Sequence, residues 1–161
     1  MLKSVESLNS LNLTFRTATD KDLPALAYLR ASSQDQIRFW LERISLYLSG
    51  THNPQKSLPQ RVIYIAESKG KIIGFIAGQL TTRYECQGEL QWLDVMPDYQ
   101  RKKVGSTLVK ILAAWFIQNE AYKVCVDPGN DVARLFYLAN DARNLNEHWM
   151  YWENIQKVVD K

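Results

Sequence analysis

Apolar residues recur along the chain with two periods, and the switches between them mark the elements. Leu13-Thr-Phe-Arg-Thr17 alternates like a strand. Thr19 and Asp22 resemble a capping box, and Leu23, Leu26, Ala27 and Arg30 continue from it as a helix. Ile37, Trp40, Leu41, Ile44 and Leu48 predict a second helix that stops at Gly50. Thr51 to Gln60, with two prolines, reads as a loop. Arg61 to Ala66 and Lys71 to Thr82 read as strands joined by the turn Ser68-Lys-Gly70. Gly74 and Gly78 in the second of them point to a bulge or a close neighbour. A strand over Glu89 to Met96 leads to a helix from Val104 to Gln118, striped by Val104, Leu108, Ile111, Leu112 and Trp115. Tyr122 to Val126 is a short strand and Asp127 to Asn130 a turn. Val132 to Leu138 is a short helix and His148 to Trp152 a last strand, with one more short strand near Ala142 to Leu145.

The order β-α-α-β-β-β-α-β-α-β predicts an α/β (α+β) fold. Its mixed, mostly antiparallel sheet has six to seven strands, with about four helices on both faces. The polar, Ser/Asn-rich residues 1–12 are expected to fray, leaving a single domain over residues 13–161.

Composition narrows the function by exclusion. A net charge of +3 is too small a footprint for nucleic acid and reads as a solubility margin around a local anion site. Cys86 and Cys125 lack metal-ligand spacing and have two histidines to help them, so they are expected to be free thiols and no metal is expected. The N-terminus lacks a signal peptide's apolar core and no segment approaches a membrane span. A soluble, cytoplasmic protein with no membrane partner is the expectation.

The chemistry concentrates where the strand ending Val95-Met96-Pro97 meets Gln100-Arg101-Lys102-Lys103-Val104-Gly105-Ser106. A strand, a basic turn and a helix start together aim backbone N–H groups at one spot, with the positive helix end behind them, and so form a phosphate seat. The segment Gln100 to Gly105 resembles the Q/R-x-x-G-x-G/A signature of the GNAT acetyltransferase superfamily. Farther on, Asn130-Asp-Val-Ala133-Arg-Leu-Phe136-Tyr137 resembles that family's N-x-x-A-x-x-F/L-Y segment. Both stand in the family's order and within its string of elements, from Leu13 to Trp152. Two departures stand out. Lys103 occupies the first glycine position of the signature, removing backbone freedom but adding a cation, and Asp141-Ala142 stands where Gly-Phe is common.

The resemblance implies acetyl-coenzyme A as co-substrate. Its pyrophosphate would lie on the backbone N–H groups of Arg101 to Ser106, helped by the Ser106 or Thr107 hydroxyl and by the charges of Arg101, Lys102 and Lys103. Its pantetheine arm would pair with Val95 and Met96, and its thioester oxygen would meet N–H groups near Leu93, Asp94 and Val95. Asn130, with Ala133 and Phe136, would border the same arm. Tyr137 is the implied acid for the departing thiolate, against its reading as a core tyrosine. Glu89 is the candidate base, preceding Gln100 by the interval seen in the histone-acetylating branch, with Asp94 or a water chain as alternatives. Plain alternation sets Glu89, Gln91, Leu93 and Val95 on one face and Trp92 and Asp94 on the other, unless the bulge common in this family intervenes.

Residues near the acceptor would come from the second helix and two loops: Arg38, Trp40, Tyr47, His52 and Tyr84 to Cys86, with His148, Trp149, Tyr151 and Trp152 at the last strand. The expectation is thus an N-acetyltransferase moving an acetyl group to a primary amine, of a small molecule or a protein, by direct attack in a ternary complex. The alternative is a non-catalytic acyl-coenzyme A-binding sensor or regulatory module, which would not need Tyr137 or Glu89. The last strands, near a sheet edge and rich in aromatics, are the candidate surface for a homodimer.

Overall fold

A computed structural model describes residues 11–161, so the predicted tail lies, except for Leu11 and Asn12, outside the described residues. Seven strands form one sheet in the order β1-β2-β3-β4-β5-β7-β6. They are β1 (Leu13–Thr17), β2 (Ser57–Ser68), β3 (Lys71–Thr81), β4 (Gly88–Val95), β5 (Val124–Val126), β6 (Arg143–Asn144) and β7 (Met150–Trp152). The helices are α1 (Leu23–Arg30), α2 (Ile37–Ser49), α3 (Val104–Gln118), α4 (Asp131–Ala139) and α5 (Gln156–Val159). All pairings are antiparallel except β4 with β5, where α3 makes the crossover.

The sheet separates two cores. On one face α1 and α2 bring Leu26, Ile44 and Tyr47 onto Ile63, Ile65, Phe75, Ala77 and Trp92. On the other, Leu108, Leu112 and Phe116 of α3 and Val158 of α5 cover Ile73, Ile76, Leu90 and Val124. Both readings of the β3 glycines apply. The β3–β4 register shifts between Ala77 and Gly78, and a Cβ at Gly78 would lie 3.0 Å from the Leu112 side chain. At the β2–β3 turn Lys69 (φ 53°) and Gly70 (φ 81°) both take positive φ, which matches the twist of a tight hairpin.

The structure departs from expectation at three places. β2 begins at Ser57, inside the predicted loop, with Ser57 opposite Thr81 and an irregular stretch before Arg61. Pro59 is tolerated because that stretch is unpaired on β3. The helix α5 was not foreseen, since its four residues are too short to show a period. The aromatics of the last strands do not make an exposed face. Trp152 is buried, Trp149 packs edge-on to Tyr84, and Tyr151 lies under Lys123, so the β6 edge presents Arg143 and Asn144.

Candidate active site

The site begins where two neighbouring strands part. β4 pairs with β5 only at Gly88, Glu89 and Leu90, opposite Val124, Cys125 and Val126. Beyond them β4 runs on to Val95 while the chain after β5 turns away through Asp127 to Gly129. On the β3 side the Met96 N–H donates to the Ile73 carbonyl (2.8 Å), and the register pairs Gly74 with Val95 and Ile76 with Leu93. Antiparallel alternation then turns the N–H and C=O of Leu93 and Val95 away from β3, into the opening, whereas Asp94 and Met96 direct theirs to β3. The Gln100 side chain caps the Val95 carbonyl from that side, its Nε2 donating at 2.9 Å.

The β4 bulge decides which side chains face which core. Ala77 stands opposite Trp92 and Gly78 opposite Leu90, which leaves Gln91 as the extra residue. Leu90 and Leu93 therefore both face the α3 core, while Trp92 faces the α1–α2 core. Glu89 pairs with Gln79, whose Oε1 accepts from the Tyr47 hydroxyl of α2 at 2.8 Å. Glu89 thus shares its face with Trp92 and Asp94, which corrects the plain alternation.

Two cavities meet across the opening and share Leu93, Asn130, Ala133 and Tyr137. The first, of about 630 Å³, also takes Val95, Gln100, Arg101, Lys103, Gly105, Ser106 and Phe136 as walls. Here α3 starts without a side-chain cap, leaving its first N–H groups to a ligand. Arg101 (φ 61°) and Lys103 (φ 66°) are left-handed, so Lys103 holds the conformation a glycine would take at less cost. Gly105 lets the helix pass close to α4, since a Cβ there would lie 3.2 Å from the Phe136 ring.

Five of the residues predicted for this seat stand outside the walls, and one of them, Asp94, lines the second cavity instead. Val104 points into the core and offers backbone alone, and Met96 packs against the same core. Lys102 reaches over the Tyr99 ring (5.9 Å), and Thr107 donates its hydroxyl to the Lys103 carbonyl (2.7 Å). Asn130 caps α4, its Oδ1 accepting from the Ala133 N–H at 2.8 Å, and its amide NH2 makes no hydrogen bond among the described residues.

The second cavity, of about 680 Å³, lies under α1, α2 and the loop after α2. Glu89 is buried in its wall, with Oε1 accepting from the Arg83 Nε at 3.0 Å. Burial raises its pKa above the ordinary glutamate value, and Arg83 moderates the rise. Asp94 faces Arg30 at 3.2 Å, and burial likewise raises its pKa against that cation. Tyr137 is 5% exposed, and burial, with Asp94 nearby, pushes its phenol pKa far above the usual value. The phenol therefore keeps its proton throughout the neutral range. Arg83 also donates to the Gln55 carbonyl (2.9 Å) and stacks on Trp149 (4.5 Å), fastening two loops and the β6–β7 turn around Glu89.

Arg30, Arg43 and Arg83 were not foreseen as site residues, because their helix and loop positions carry no spacing signal. Of the candidates for the acceptor side, His52 and Trp149 do line the cavity. Tyr47 is buried, donating to the Gly78 carbonyl at 2.9 Å, and Trp40 packs on Trp92; neither they nor Arg38 and His148 form its wall. Cys86 and Cys125 are buried free thiols. Among the described residues no cluster of three or more His, Cys, Asp or Glu could hold a metal ion, and no helix is long and apolar enough to cross a membrane.

The sequence model of the acetyltransferase (GNAT) family matches residues 25–140. No curated protein matches the chain in sequence. Among solved structures, the PaiA N-acetyltransferase of Thermoplasma acidophilum in complex with coenzyme A is 18% identical with TM-score 0.64, over 86% of this chain and 96% of that one. An acetyltransferase of Thermus thermophilus is 15% identical with TM-score 0.65, over 87% and 96%. AtaTR bound with acetyl-coenzyme A is 16% identical with TM-score 0.64, over 91% and 95%. At these identities the likeness is one of fold.

Proposed function

From the premise that this chain belongs to the acetyltransferase (GNAT) family, we propose that it is an N-acetyltransferase moving the acetyl group of acetyl-coenzyme A to a primary amine in a ternary complex. The observation that carries this reading is the placement of Tyr137. Its phenol, held protonated by burial, stands at the wall shared by the two cavities, where a thioester entering from one side would meet an amine entering from the other.

The cofactor-side cavity suits the co-substrate. The uncapped start of α3 offers N–H groups from Val104 to Ser106 to a pyrophosphate, with Arg101 and Lys103 adding charge. The outward-turned N–H and C=O of Leu93 and the N–H of Val95 offer an extended arm the bonds of an added strand. Bound acetyl-coenzyme A supplies an acetyl group activated as a thioester. Around it each residue has one task. Glu89, or a water on it, takes the proton of the acceptor's ammonium, and Asp94 is the alternative base. A Leu93 or Val95 N–H polarises the carbonyl. As the C–N bond forms and the C–S bond breaks, Tyr137 gives its proton to the leaving sulfur, and the second proton shed by the new amide nitrogen restores the phenol through solvent. The reduced, buried cysteines support a cytoplasmic setting.

The deciding experiment is Tyr137→Phe, with acetyl-coenzyme A turnover and binding measured side by side. The expected outcome is a fall in kcat of about 10²–10⁴-fold, the usual worth of a general acid, with cofactor affinity nearly unchanged. Unchanged turnover would remove Tyr137 from the chemistry. Binding without turnover in the unsubstituted protein, across a broad panel of amines, would replace the enzyme by a sensor of the cofactor.

A further inference from the structure

The charges around the acceptor-side cavity do not cancel uniformly. Arg30 is committed to Asp94, its guanidinium also lies over Trp40 (5.0 Å), and its Nε is fully enclosed without a hydrogen-bond partner. Arg83 is committed to Glu89, the Gln55 carbonyl and Trp149. The third arginine in the wall, Arg43 of α2, has neither an ion pair nor a hydrogen bond among the described residues; its guanidinium rests on the Phe39 ring at 5.0 Å. Arg61, outside the wall but facing His52 as Arg43 does, donates to the carbonyl oxygens of Tyr47 (3.2 Å) and His52 (2.7 Å) and to Asn53 Oδ1, none of which cancels its charge. The α2 side of the cavity thus carries a positive pole, while the carboxylates Glu89, Asp94 and Asp127 stand elsewhere in its wall.

His52 lies in the same wall. Burial first, then Arg43 and Arg61, lower its pKa below the ordinary histidine value, so the imidazole is neutral at pH 7 and leaves the guanidinium as the charge to be met. A guanidinium in a half-enclosed cavity, stacked on an aromatic ring and without a carboxylate partner, is a fork for an anion. A plain cationic amine or polyamine would meet repulsion there. The cavity, at about 680 Å³, has the size of a small-molecule site.

We propose that the acceptor is a small amine that carries a second, anionic group, with Arg43 receiving the anion while the amine lies toward Glu89 and Tyr137. This rests on the acetyltransferase reading, which it deepens by naming the class of acceptor. Arg43 acts as a specificity residue outside the chemistry.

The test is binding as well as turnover, using the full chain with and without coenzyme A. Calorimetry compares α-amino acids with their amides, their methyl esters and the corresponding decarboxylated amines, and an aminoalkylphosphonate and an aminosulfonate arm identify the kind of anion. Anionic members are expected to bind about tenfold or more tightly than neutral counterparts, the usual scale of a charge-assisted contact. Arg43→Gln should erase that preference and Arg43→Lys restore part of it, with the coenzyme A Kd unchanged in both and folding verified by thermal denaturation. Steady-state kinetics should place the Arg43→Gln loss in the acceptor KM. Equal or better binding of neutral amines or polyamines, preferential acetylation of peptide or protein amines, or a preference that survives Arg43→Gln would overturn the proposal. Failure of the acetyltransferase reading shows differently: coenzyme A does not bind, or no amine is acetylated while anionic amines are still discriminated in the binding arm.

Discussion

Glu89 and Asp94 show how one strand can offer a buried and a half-buried carboxylate with different partners. Both have pKa values raised by desolvation, and each faces one arginine that limits the rise. A base works as the carboxylate, so with Glu89 as base kcat rises with pH through its pKa in the ternary complex. Because that pKa is raised, the acidic limb of the profile should lie above the ordinary glutamate value of about 4.3. Removing the cation in Arg83→Met should move the limb to still higher pH, and Arg83→Lys should move it less. Glu89→Gln should lower kcat and abolish the limb. If the limb persists in Glu89→Gln, the proton goes to Asp94 or to a water chain. The residue types of this group were readable in the chain, but their shared face was not. That depends on the single extra residue Gln91, whose bulge Gly78 on the partner strand hinted at without fixing its position on β4. Arg83 was equally silent, since its contacts lie at Gln55, Glu89 and Trp149, far apart in sequence.

At the scale of elements, the junction of α3 with α4 sets the cofactor-side cavity. Gly105 sits inside the first turn of α3, where alanine would be the better helix former by about 1 kcal/mol. The cost appears across the junction, because the added Cβ would stand 3.2 Å from two atoms of the Phe136 ring. That ring is half-buried and borders the cavity, so it gives way into the space the cofactor needs. Gly105→Ala is therefore expected to leave the melting temperature within a few degrees of its starting value while weakening acetyl-coenzyme A binding severalfold. Equilibrium binding beside thermal denaturation checks both halves; unchanged affinity would mean the ring yields in another direction. The elements themselves were largely legible. α2 and α3 announce their apolar stripes, and α2 ends at Gly50 (φ 84°) as its glycine promises. The start of β2 was hidden by Pro54 and Pro59, and the four residues of α5 by their brevity. Lys103 is instructive, since it holds a left-handed backbone without the glycine that usually signals one.

Across the whole molecule the sheet is continuous, yet its two halves join through a short seam. Three residue pairs connect β4 to β5, and α3 and α5 close the seam from one face only. The proposed seat straddles it, taking Leu93 and Val95 from one side, Asn130, Ala133, Phe136 and Tyr137 from the other, and the start of α3 at its end. A ligand there binds the native state and not the unfolded chain, so it stabilises by mass action. At a hundredfold excess over Kd the gain is about 2.7 kcal/mol, equivalent to a rise of roughly 5–10 °C in melting temperature for a chain of this size. Adenosine diphosphate, which reaches only the phosphate end, should give a smaller rise. Hydrogen exchange locates the effect. The Leu93 and Val95 amides, turned away from β3, should exchange readily in the free protein and slow on binding acetyl-coenzyme A, together with Val104 to Ser106 at the start of α3. Asp94 and Met96 should change less, since their amides already pair with β3. Uniform slowing, without this alternation along β4, would place the ligand elsewhere and leave the opening between β4 and β5 a feature of the fold alone.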